Sequence, residues 1–195
     1  MSLALPSFAL PGFADPVHDS QACFRAVLDA MARPGTLHRV TAPAHPPVPL
    51  CRATAAALLT LVDLETPLWL DPAADAAGPW IDFHCGAPRA ALDRAGFALV
   101  LGTLDLTMPA AGSDDGPEDG ATVILQLPAF GAGPRYNLSG PGIEGTAGFQ
   151  AEGLPPGLAA AWAGNAARFP RGIDLILCAG DQLAAWPRSL SVQEG

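Results

Sequence analysis

Apolar side chains near the start of the chain recur at the spacing of one helix face. The stripe at positions i, i+3, i+4 and i+7 consists of Phe24, Val27, Leu28 and Met31. Asp19 or Ser20 can cap this helix, because a side-chain oxygen at that place accepts a free backbone N–H. The helix is expected to end at 33–35, since the proline of Arg-Pro-Gly cannot continue it. The pattern predicts an amphipathic helix that buries this stripe.

Later segments predict two more helices and a set of short strands. A run rich in alanine and leucine at 53–63 favours a well-buried helix, and 156–168 favours a last helix with Leu158, Trp162 and Phe169 as its apolar edge. Strands are predicted at 36–40, 67–71, 80–85, 96–102, 121–127, 134–139, 172–178 and 183–187. Polar or proline-rich connectors are predicted at 43–49 and 112–120.

The strand pattern indicates the fold class. The runs TVILQL and IDLIL are apolar without alternation, which is typical of a sheet covered on both faces. Helices stand before, between and after the strands, so we expect α/β layers. We find no internal repeat and no domain boundary, and the 195 residues suit a single domain, 1–195.

Composition adds that the surface carries little charge. Half of the residues are hydrophobic and only 15% are charged, whereas an average domain has about 25% charged residues. The 21 glycines and 21 prolines indicate many tight turns. With a mean hydropathy of +0.28 and four tryptophans, the chain has more apolar surface than a monomer of this size hides easily. We therefore expect a homodimer that buries on the order of 2,000 Å² in total.

The net charge of −9 argues against nucleic acid as a partner, because nucleic acid requires a clustered basic face. The same field repels phosphates and phosphonates at long range. Such an anion would have to meet a local arginine cluster, or a partner that supplies positive charge. The acidity also keeps an apolar protein soluble, and net charge alone leaves both interpretations open.

Lysine is absent from the chain. All ten basic residues are arginines: Arg25, Arg33, Arg39, Arg52, Arg89, Arg94, Arg135, Arg168, Arg171 and Arg188. A Schiff base needs a neutral amine and a P-loop needs a lysine beside the outer phosphates, whereas arginine stays protonated. Both chemistries are closed to this chain acting alone.

No segment predicts export or a membrane span. The first fourteen residues are uncharged, but they lack a basic segment and are interrupted by Pro6 and Pro11. Other apolar runs fall short of the roughly 20 residues that a spanning helix needs, or contain proline and glycine. We expect a cytoplasmic protein that does not contact the membrane.

The four cysteines do not form a metal-binding pattern. Cys23, Cys51, Cys85 and Cys178 are far apart in sequence and include no CxxC pair. His84 and Cys85 are adjacent, but neighbours on a strand point to opposite faces and would not chelate one ion. We expect reduced thiols, with Cys23 and Cys178 buried, and no metal site.

Gly140, Gly142 and Gly145 form a G-x-G-x-x-G sequence after a predicted strand. A dinucleotide site would need a helix to follow, and the continuation TAGFQAEGLPP is too rich in glycine and proline for one. Pro141 also removes one backbone amide. The pattern therefore predicts a tight turn and no nucleotide cofactor.

His84 is the histidine with the most suggestive surroundings. On the predicted strand WIDFHC it would share a face with Asp82 and lie near Arg89. Strand ends of α/β sheets commonly bind ligands, and a carboxylate can orient an imidazole for proton transfer. A histidine that only orders the following turn is the simpler interpretation. The other histidines, His18, His38 and His45, show no partners in the sequence and are expected at the surface or as caps.

Arg171 and Asp174 form a second polar pair of interest. Asp174 interrupts an apolar strand and so needs a partner or a place near the sheet end. Arg171, three residues earlier, can supply the partner. A structural ion pair and anion binding by Arg171 both remain open. No serine or cysteine nucleophile can be identified near any of these candidates, and we name no catalytic residue.

Six blocks in order along the chain carry a resemblance to a known family. They are DSQACFRAVLDAMARPG at 19–35, LLTLVDLETPLWL at 58–70, FHCGAP at 83–88, GATVILQL at 120–127, LSGPGI at 138–143 and FPRGIDLIL at 169–177. Together they resemble the H subunit of the bacterial carbon–phosphorus lyase core complex, the PhnH family of phosphonate catabolism.

The resemblance implies a fold and a role. It implies a three-layer α/β/α fold with a mostly parallel mixed sheet, similar to pyridoxal-phosphate-dependent transferases but without their cofactor site, which agrees with the absence of lysine. It implies a homodimer that joins subunits G, I and J. With these partners the family supports transfer of methylphosphonate onto the ribose of ATP, which gives α-D-ribose 1-methylphosphonate 5-triphosphate and releases adenine.

Two roles within that resemblance stay open, and one role lies outside it. The chain either contributes catalytic groups to the transferase complex or braces the other subunits. The missing lysine, the missing nucleophile and the negative charge favour a structural subunit that is not catalytic alone. The alternative outside the family is a free-standing α/β enzyme that binds a small molecule at the His84 strand end.

Overall fold

The structure is a computed structural model that describes residues 7–103 and 105–195, and its centre is a six-stranded mixed sheet. The sheet order is β1-β8-β7-β4-β3-β2, and a separate three-stranded sheet has the order β6-β5-β9. The strands are β1 His38–Arg39, β2 Leu68–Leu70, β3 Phe97–Val100, β4 Thr122–Gln126, β5 Phe130–Ser139, β6 Ala147–Ala151, β7 Asp174–Ala179, β8 Gln182–Trp186 and β9 Ser191–Glu194. The α-helices are α1 Pro16–Ala32, α2 Arg52–Leu61, α3 Gly78–Cys85 and α4 Leu158–Ala166.

The central sheet is mostly parallel, as the family resemblance implied. Strands β2, β3, β4 and β7 pair in parallel, while β8 runs antiparallel to both β7 and β1. One strand of the six therefore opposes the rest. The α/β fold class is confirmed, and the strands predicted at 36–40, 67–71, 96–102, 121–127, 134–139, 172–178 and 183–187 all overlap observed ones.

Alternate residues of the central strands feed two separate cores. Leu99, Ile124 and Ile176 pack with α1, α2 and α3 on one face of the sheet. Val123 and Leu175 pack on the other face. This alternation follows from the strand period of two. Because both faces of the sheet are covered, successive residues at the centre of these strands face one core or the other, and their apolar runs are therefore unbroken.

The second face is covered mainly by the small antiparallel sheet. Its side chains Tyr136 and Phe149, together with Trp162 of α4, enclose Trp186. The resemblance implied helices on both faces, so this layer differs from the expectation. Strands β6 and β9 were not predicted, because glycine-rich 145–157 and the short C-terminal segment lack a clear alternating run.

The predicted buried stripe of α1 is right for Val27 and the partly buried Met31, but wrong for its other two members. The helix begins three residues before Asp19, capped by Asp15, whose carboxylate accepts the His18 amide. Its buried residues are Cys23, Val27 and Ala30. Phe24 and Leu28, both predicted to be buried, are 46% and 51% exposed. Small residues on the buried face let α1 approach β8 and α2 closely, so the larger side chains lie outside.

The predicted strand at 80–85 is a helix. Pro79 stands in the first turn of α3, and Gly86 ends it in the left-handed region at φ 65°. These are the usual helix start and stop residues. The apolar run between them is too short for periodicity to distinguish a strand from a buried helix.

The two later helices and the glycine turn are confirmed. Helix α2 lies within the predicted 53–63 apart from its first residue, α4 lies within 156–168, and the Gly140–Gly145 sequence forms a turn with positive φ at its glycines. Phe169, predicted on the apolar edge of α4, is 63% exposed instead. No helix in the described part of the chain is both long and apolar enough to cross a membrane.

Candidate functional site

A cleft of about 390 Å³ lies between the edge strand β2 and α3. Asp82 and Arg89 both line the cleft and form an ion pair, with Arg89 Nη2 2.7 Å from Asp82 Oδ1. The other lining residues are Leu68, Trp69, Leu70, Asp75, Gly78, Pro79 and Ala90. The Asp82 side chain is 58% exposed, so solvent screens this ion pair and it adds little stability. The structure thus brings together two of the five candidate residues.

His84 points away from this cleft. Two residues apart on a helix are separated by about 200° around its axis, so Asp82 and His84 project to different sides. His84 Nε2 and Trp80 Nε1 each donate a hydrogen bond to the Leu10 carbonyl oxygen at 3.0 Å. The proton of a neutral His84 ring therefore lies on Nε2. The expected Asp82–His84 arrangement for proton transfer does not form, and His84 instead fastens the N-terminal segment to α3.

Asp174 pairs with Arg188 and not with Arg171. At the start of β7, Asp174 accepts hydrogen bonds from the Arg188 backbone N–H at 2.7 Å and from its Nη2 at 2.6 Å. Both side chains are largely buried, and Arg188 Nη1 donates a further hydrogen bond to the Pro117 carbonyl oxygen. Arg188 follows β8, which forms a hairpin with β7 and so returns the chain to Asp174. The pairing of these two strands is the signal in the sequence that would have identified Arg188 as the partner.

Arg171 lies beside the acidic loop. Its Nε is 3.0 Å from Asp114 Oδ1, but the angle does not make a hydrogen bond, and this buried nitrogen has no hydrogen-bond partner among the described residues. Asp174 lies at the amino ends of the parallel strands, where β7 pairs with β4 at Thr122. Ligands of open α/β sheets usually bind at the opposite, carboxyl ends. The Asp82–Arg89 pair lies beside the edge strand β2 and the Asp174–Arg188 pair lies at β7, with β3 and β4 between them, so the two pairs do not form one site.

The other histidines and the thiols offer no reactive group of their own. His18 is exposed, as expected, and its Nδ1 lies 2.8 Å from Asp15; His38 is half-buried, and its Nε2 lies 2.7 Å from Thr36. His45 is exposed, as expected. Burial raises the pKa of Cys85 to about 12 and also raises the pKa of Cys23 and Cys178. These thiols therefore stay protonated and unreactive at neutral pH.

All four cysteines are free, as expected. Cys51, before α2, is only partly buried, and its Sγ lies 3.1 Å from Thr54 Oγ1. Within residues 7–103 and 105–195, no group of three or more His, Cys, Asp or Glu side chains is placed to hold a metal ion. The residues described here provide ion pairs and a cleft, but no assembled nucleophile and base.

The outer side of the helical layer carries a large share of the exposed apolar side chains. We call this surface the helical-layer face and define it by Phe8, Val17, Phe24, Leu28, Leu64 and Phe83, all of which are at least 46% exposed. Two depressions run along it and share Pro16. One lies between α1 and Thr60 of α2, and the other reaches His84 of α3. Exposed apolar patches of this kind mark protein–protein contacts.

Comparison with known proteins gives a consistent family. A family described as bacterial phosphonate metabolism protein (PhnH) matches residues 11–193. A Rhizobium meliloti protein named alpha-D-ribose 1-methylphosphonate 5-triphosphate synthase subunit PhnH is 37% identical over 191 residues, which cover 93% of this chain and 94% of that protein. A Stutzerimonas stutzeri protein named putative C-P lyase subunit protein HtxG is 34% identical over 178 residues, which cover 88% of this chain and 85% of that protein.

Proposed function

Because the chain belongs to the PhnH family of bacterial phosphonate metabolism proteins, we propose that it is a subunit of the complex that makes alpha-D-ribose 1-methylphosphonate 5-triphosphate. The observation that carries this proposal is the 37% identity to the Rhizobium meliloti subunit across nearly the full length of both chains. In that reaction methylphosphonate replaces adenine on the ribose of ATP. The proposal treats residues 1–195 as one PhnH-like domain in a cytoplasmic complex with subunits G, I and J.

Within the complex we assign the chain a structural role without catalysis of its own. The absence of lysine closes Schiff-base chemistry. Buried thiols have raised pKa values, His84 is engaged with a backbone carbonyl, and Asp174 is engaged with Arg188. The polar candidates Asp82, His84, Arg89, Arg171 and Asp174 remain candidates for ligand contact or structural support. A free-standing enzyme that uses the His84 strand end loses its basis, because that segment is helical.

The missing lysine also bears on the cofactor. A topology like that of pyridoxal-phosphate transferases remains a prediction from the family, and the chain lacks the amine that would form an internal aldimine with that cofactor. We therefore propose that the subunit works without pyridoxal phosphate. Purified protein should keep no absorbance band from a bound aldimine after dialysis.

We assign the helical-layer face to a second copy of the chain. In a two-fold dimer the same patch meets itself, so its residues must be self-complementary. An antiparallel pair of α1 helices centred on Phe24 sets the smaller Ser20 opposite Leu28 of the other copy. The depression beside Ser20, between Phe24 and Thr60, has room for that leucine.

The charges of α1 do not by themselves fix this register. Asp15 and Asp19 lie at its N-terminal end, while Arg25, Asp29 and Arg33 lie in its C-terminal half. The pairing centred on Phe24 sets Asp15 level with Arg33 of the other copy, and Asp19 level with Asp29. The existing exposed pairs, Asp15–His18 and Asp29–Arg33, are weak enough to exchange partners. Subunits G, I and J would then bind other surfaces of the dimer.

Reconstitution tests the subunit assignment and the structural role together. The chain is co-expressed with its own G, I and J subunits, and adenine release from ATP and methylphosphonate is measured with and without it. We expect the four proteins to co-purify, the isolated chain to release no adenine, and Asp82→Asn or Arg89→Gln to restore the complex as well as wild type does. Turnover by the isolated chain would refute the structural role. Failure to co-purify would refute the subunit assignment.

A further inference from the structure

Most arginines of the chain are already engaged by other groups. Six lie within 4 Å of a carboxylate: Arg33, Arg39, Arg89, Arg94, Arg171 and Arg188. Arg52 donates to the carbonyl oxygens of Pro43 and Ala42. Within the described part of the chain, Arg25, Arg135 and Arg168 have no carboxylate so close. Of these three, Arg135 lines a cavity, and it is therefore the arginine placed to meet a ligand.

The cavity at Arg135 has a volume of about 270 Å³ and contains no acidic residue in its lining. Its walls come from three segments, the turn after α1, strand β5 and strand β6. The lining residues are Gly35, Leu37, Gly131, Arg135, Gly148, Phe149 and Gln150. In a chain of net charge −9, a cavity whose one charged group is a cation is a local exception to the surrounding field.

The backbone around this cavity is shaped to present Arg135. The register of β5 against β6 shifts between Phe130 and Arg135, and Gly131 and Gly133 within the shift have φ of 82° and 85°. Like a β-bulge, an irregularity of this kind redirects the side chains of its strand, and such features are frequent beside binding sites. The irregularity thus lies directly before the residue that carries the charge.

Glycine at 148 lets the guanidinium lie on the backbone of β6. A Cβ atom built at Gly148 would stand 3.1 Å from Arg135 Nη2 and 3.6 Å from its Nε. Gln150, the cross-strand neighbour of Arg135, donates from Nε2 to the Gly133 carbonyl oxygen over a long 3.3 Å. That amide is exposed and can turn toward a ligand held by Arg135.

We propose that this cavity is a binding site for a small tetrahedral oxyanion, either a phosphonate or the phosphate group of a larger molecule. The planar guanidinium of Arg135 donates two parallel hydrogen bonds to two anion oxygens. The Gln150 amide supplies a further donor, and Leu37 forms an apolar wall beside the anion. Neither the subunit assignment nor the dimer is needed for this site.

The test is an NMR titration of the full-length ¹⁵N-labelled chain at constant ionic strength. The probes are methylphosphonate, inorganic phosphate and ATP, with acetate as a planar anion and chloride as a salt control. We expect saturable shifts at the Gly35, Gly131 and Gly148 amides with at least one tetrahedral anion. Saturation by methylphosphonate or phosphate identifies a site for the free anion, and saturation by ATP alone identifies a site for a bound phosphate group.

Three variants separate this site from general charge effects. Arg135→Gln should weaken binding about tenfold or more, because charge-assisted hydrogen bonds are lost. Gly148→Ala keeps the charge but crowds the guanidinium, and should also weaken binding. Arg168→Gln, which removes an exposed arginine away from the cavity, should bind as wild type does.

The proposal would be overturned by equal binding in Arg135→Gln and wild type, or by an equal loss in Arg168→Gln. It would also be overturned by acetate shifts as strong as those of the tetrahedral anions, or by no saturable shift with any probe. If Arg135→Gln loses its dispersed spectrum, the comparison rests on Gly148→Ala, and unchanged affinity in that variant then contradicts the proposal.

Discussion

The two layers that cover the central sheet differ in where they keep their large apolar side chains. On the side of the small sheet, Tyr136, Phe149, Trp162 and Trp186 form an aromatic cluster that is nearly closed to solvent. On the helical side, alanines and cysteines fill much of the interface with the sheet, and the helical-layer face carries exposed phenylalanine, leucine and valine. One layer is complete in the monomer. The other has apolar side chains on both of its surfaces, which is what a subunit interface requires.

The two sides of the molecule also differ in what their surfaces are suited to bind, a protein partner on one side and a small anion on the other. The helical-layer face offers broad apolar contact and depressions without an unengaged cation in their linings. The small-sheet side offers a small, open cavity with a single arginine. Large apolar surfaces favour proteins as partners, whereas a glycine-walled cavity with a cation favours a small anion.

Truncating the aromatic cluster should cost far more stability than truncating the exposed face. Trp162→Ala removes a fully buried side chain that donates to the Leu190 carbonyl at 2.9 Å, and should lower the free energy of unfolding by about 3–5 kcal/mol. Phe24→Ala, studied as a monomer at low concentration, should change it by less than about 1 kcal/mol. Urea unfolding measures both. Similar losses in the two variants would contradict the distinction between a closed and an open layer.

The largely buried ion pair at the start of β7 should matter more than exposed pairs elsewhere. Asp174→Asn weakens the contacts with Arg188 and should lower the free energy of unfolding by about 2 kcal/mol. The control is Arg94→Gln, whose partner Asp93 lies 3.9 Å away with both side chains exposed, and it should have little effect. Thermal or urea unfolding gives the comparison. Equal effects would show that the Asp174–Arg188 pair is no more than a surface contact.

Alkaline pH should destabilise the helical side through its buried thiols. Burial raises the pKa of Cys85 from 9.0 to about 12, so between these values the unfolded chain loses a proton that the folded chain keeps. Stability is therefore full below pH 9 and falls as pH rises above it, by about 1 kcal/mol for this thiol between pH 8 and pH 10. Cys85→Ala should flatten that slope in urea unfolding, and an unchanged slope in this variant would contradict the prediction.

Helices and strands were predictable where the order of apolar and polar residues fits only one of them. They were not predictable where the same residues fit both the helix period of 3.6 and the strand period of 2. The central strands β4 and β7 read correctly because an apolar run bounded by turn residues fits a strand buried on both faces. The segment at 80–85 alternates apolar residues with Asp82 and His84, which also fits a strand, and the signals that decide for helix are Pro79 and Gly86. Strands β6 and β9 are short and glycine-rich or terminal, so they depend on pairing with β5, which no local pattern reports.

The candidate site was harder to predict than the fold because its contacts join distant parts of the chain. The Asp82–Arg89 contact was within reach, since the two residues are close in sequence. The partner of Asp174 proved to be Arg188, which the β7–β8 hairpin brings back after fourteen positions. The stripe of α1 was misplaced because periodicity favours the largest side chains for burial, while close packing on β8 favours Cys23 and Ala30.

The most direct test of the account is light scattering on the purified chain at micromolar concentration, with two matched variants. Phe24→Asp places a charge at the centre of the helical-layer face, and Phe169→Asp places the same charge on a phenylalanine outside that face that is 63% exposed. We predict a dimer for wild type and for Phe169→Asp, and a monomer for Phe24→Asp with an unchanged circular dichroism spectrum. A wild-type monomer, or a Phe24→Asp variant that remains dimeric, would contradict the assignment of this face to a second copy.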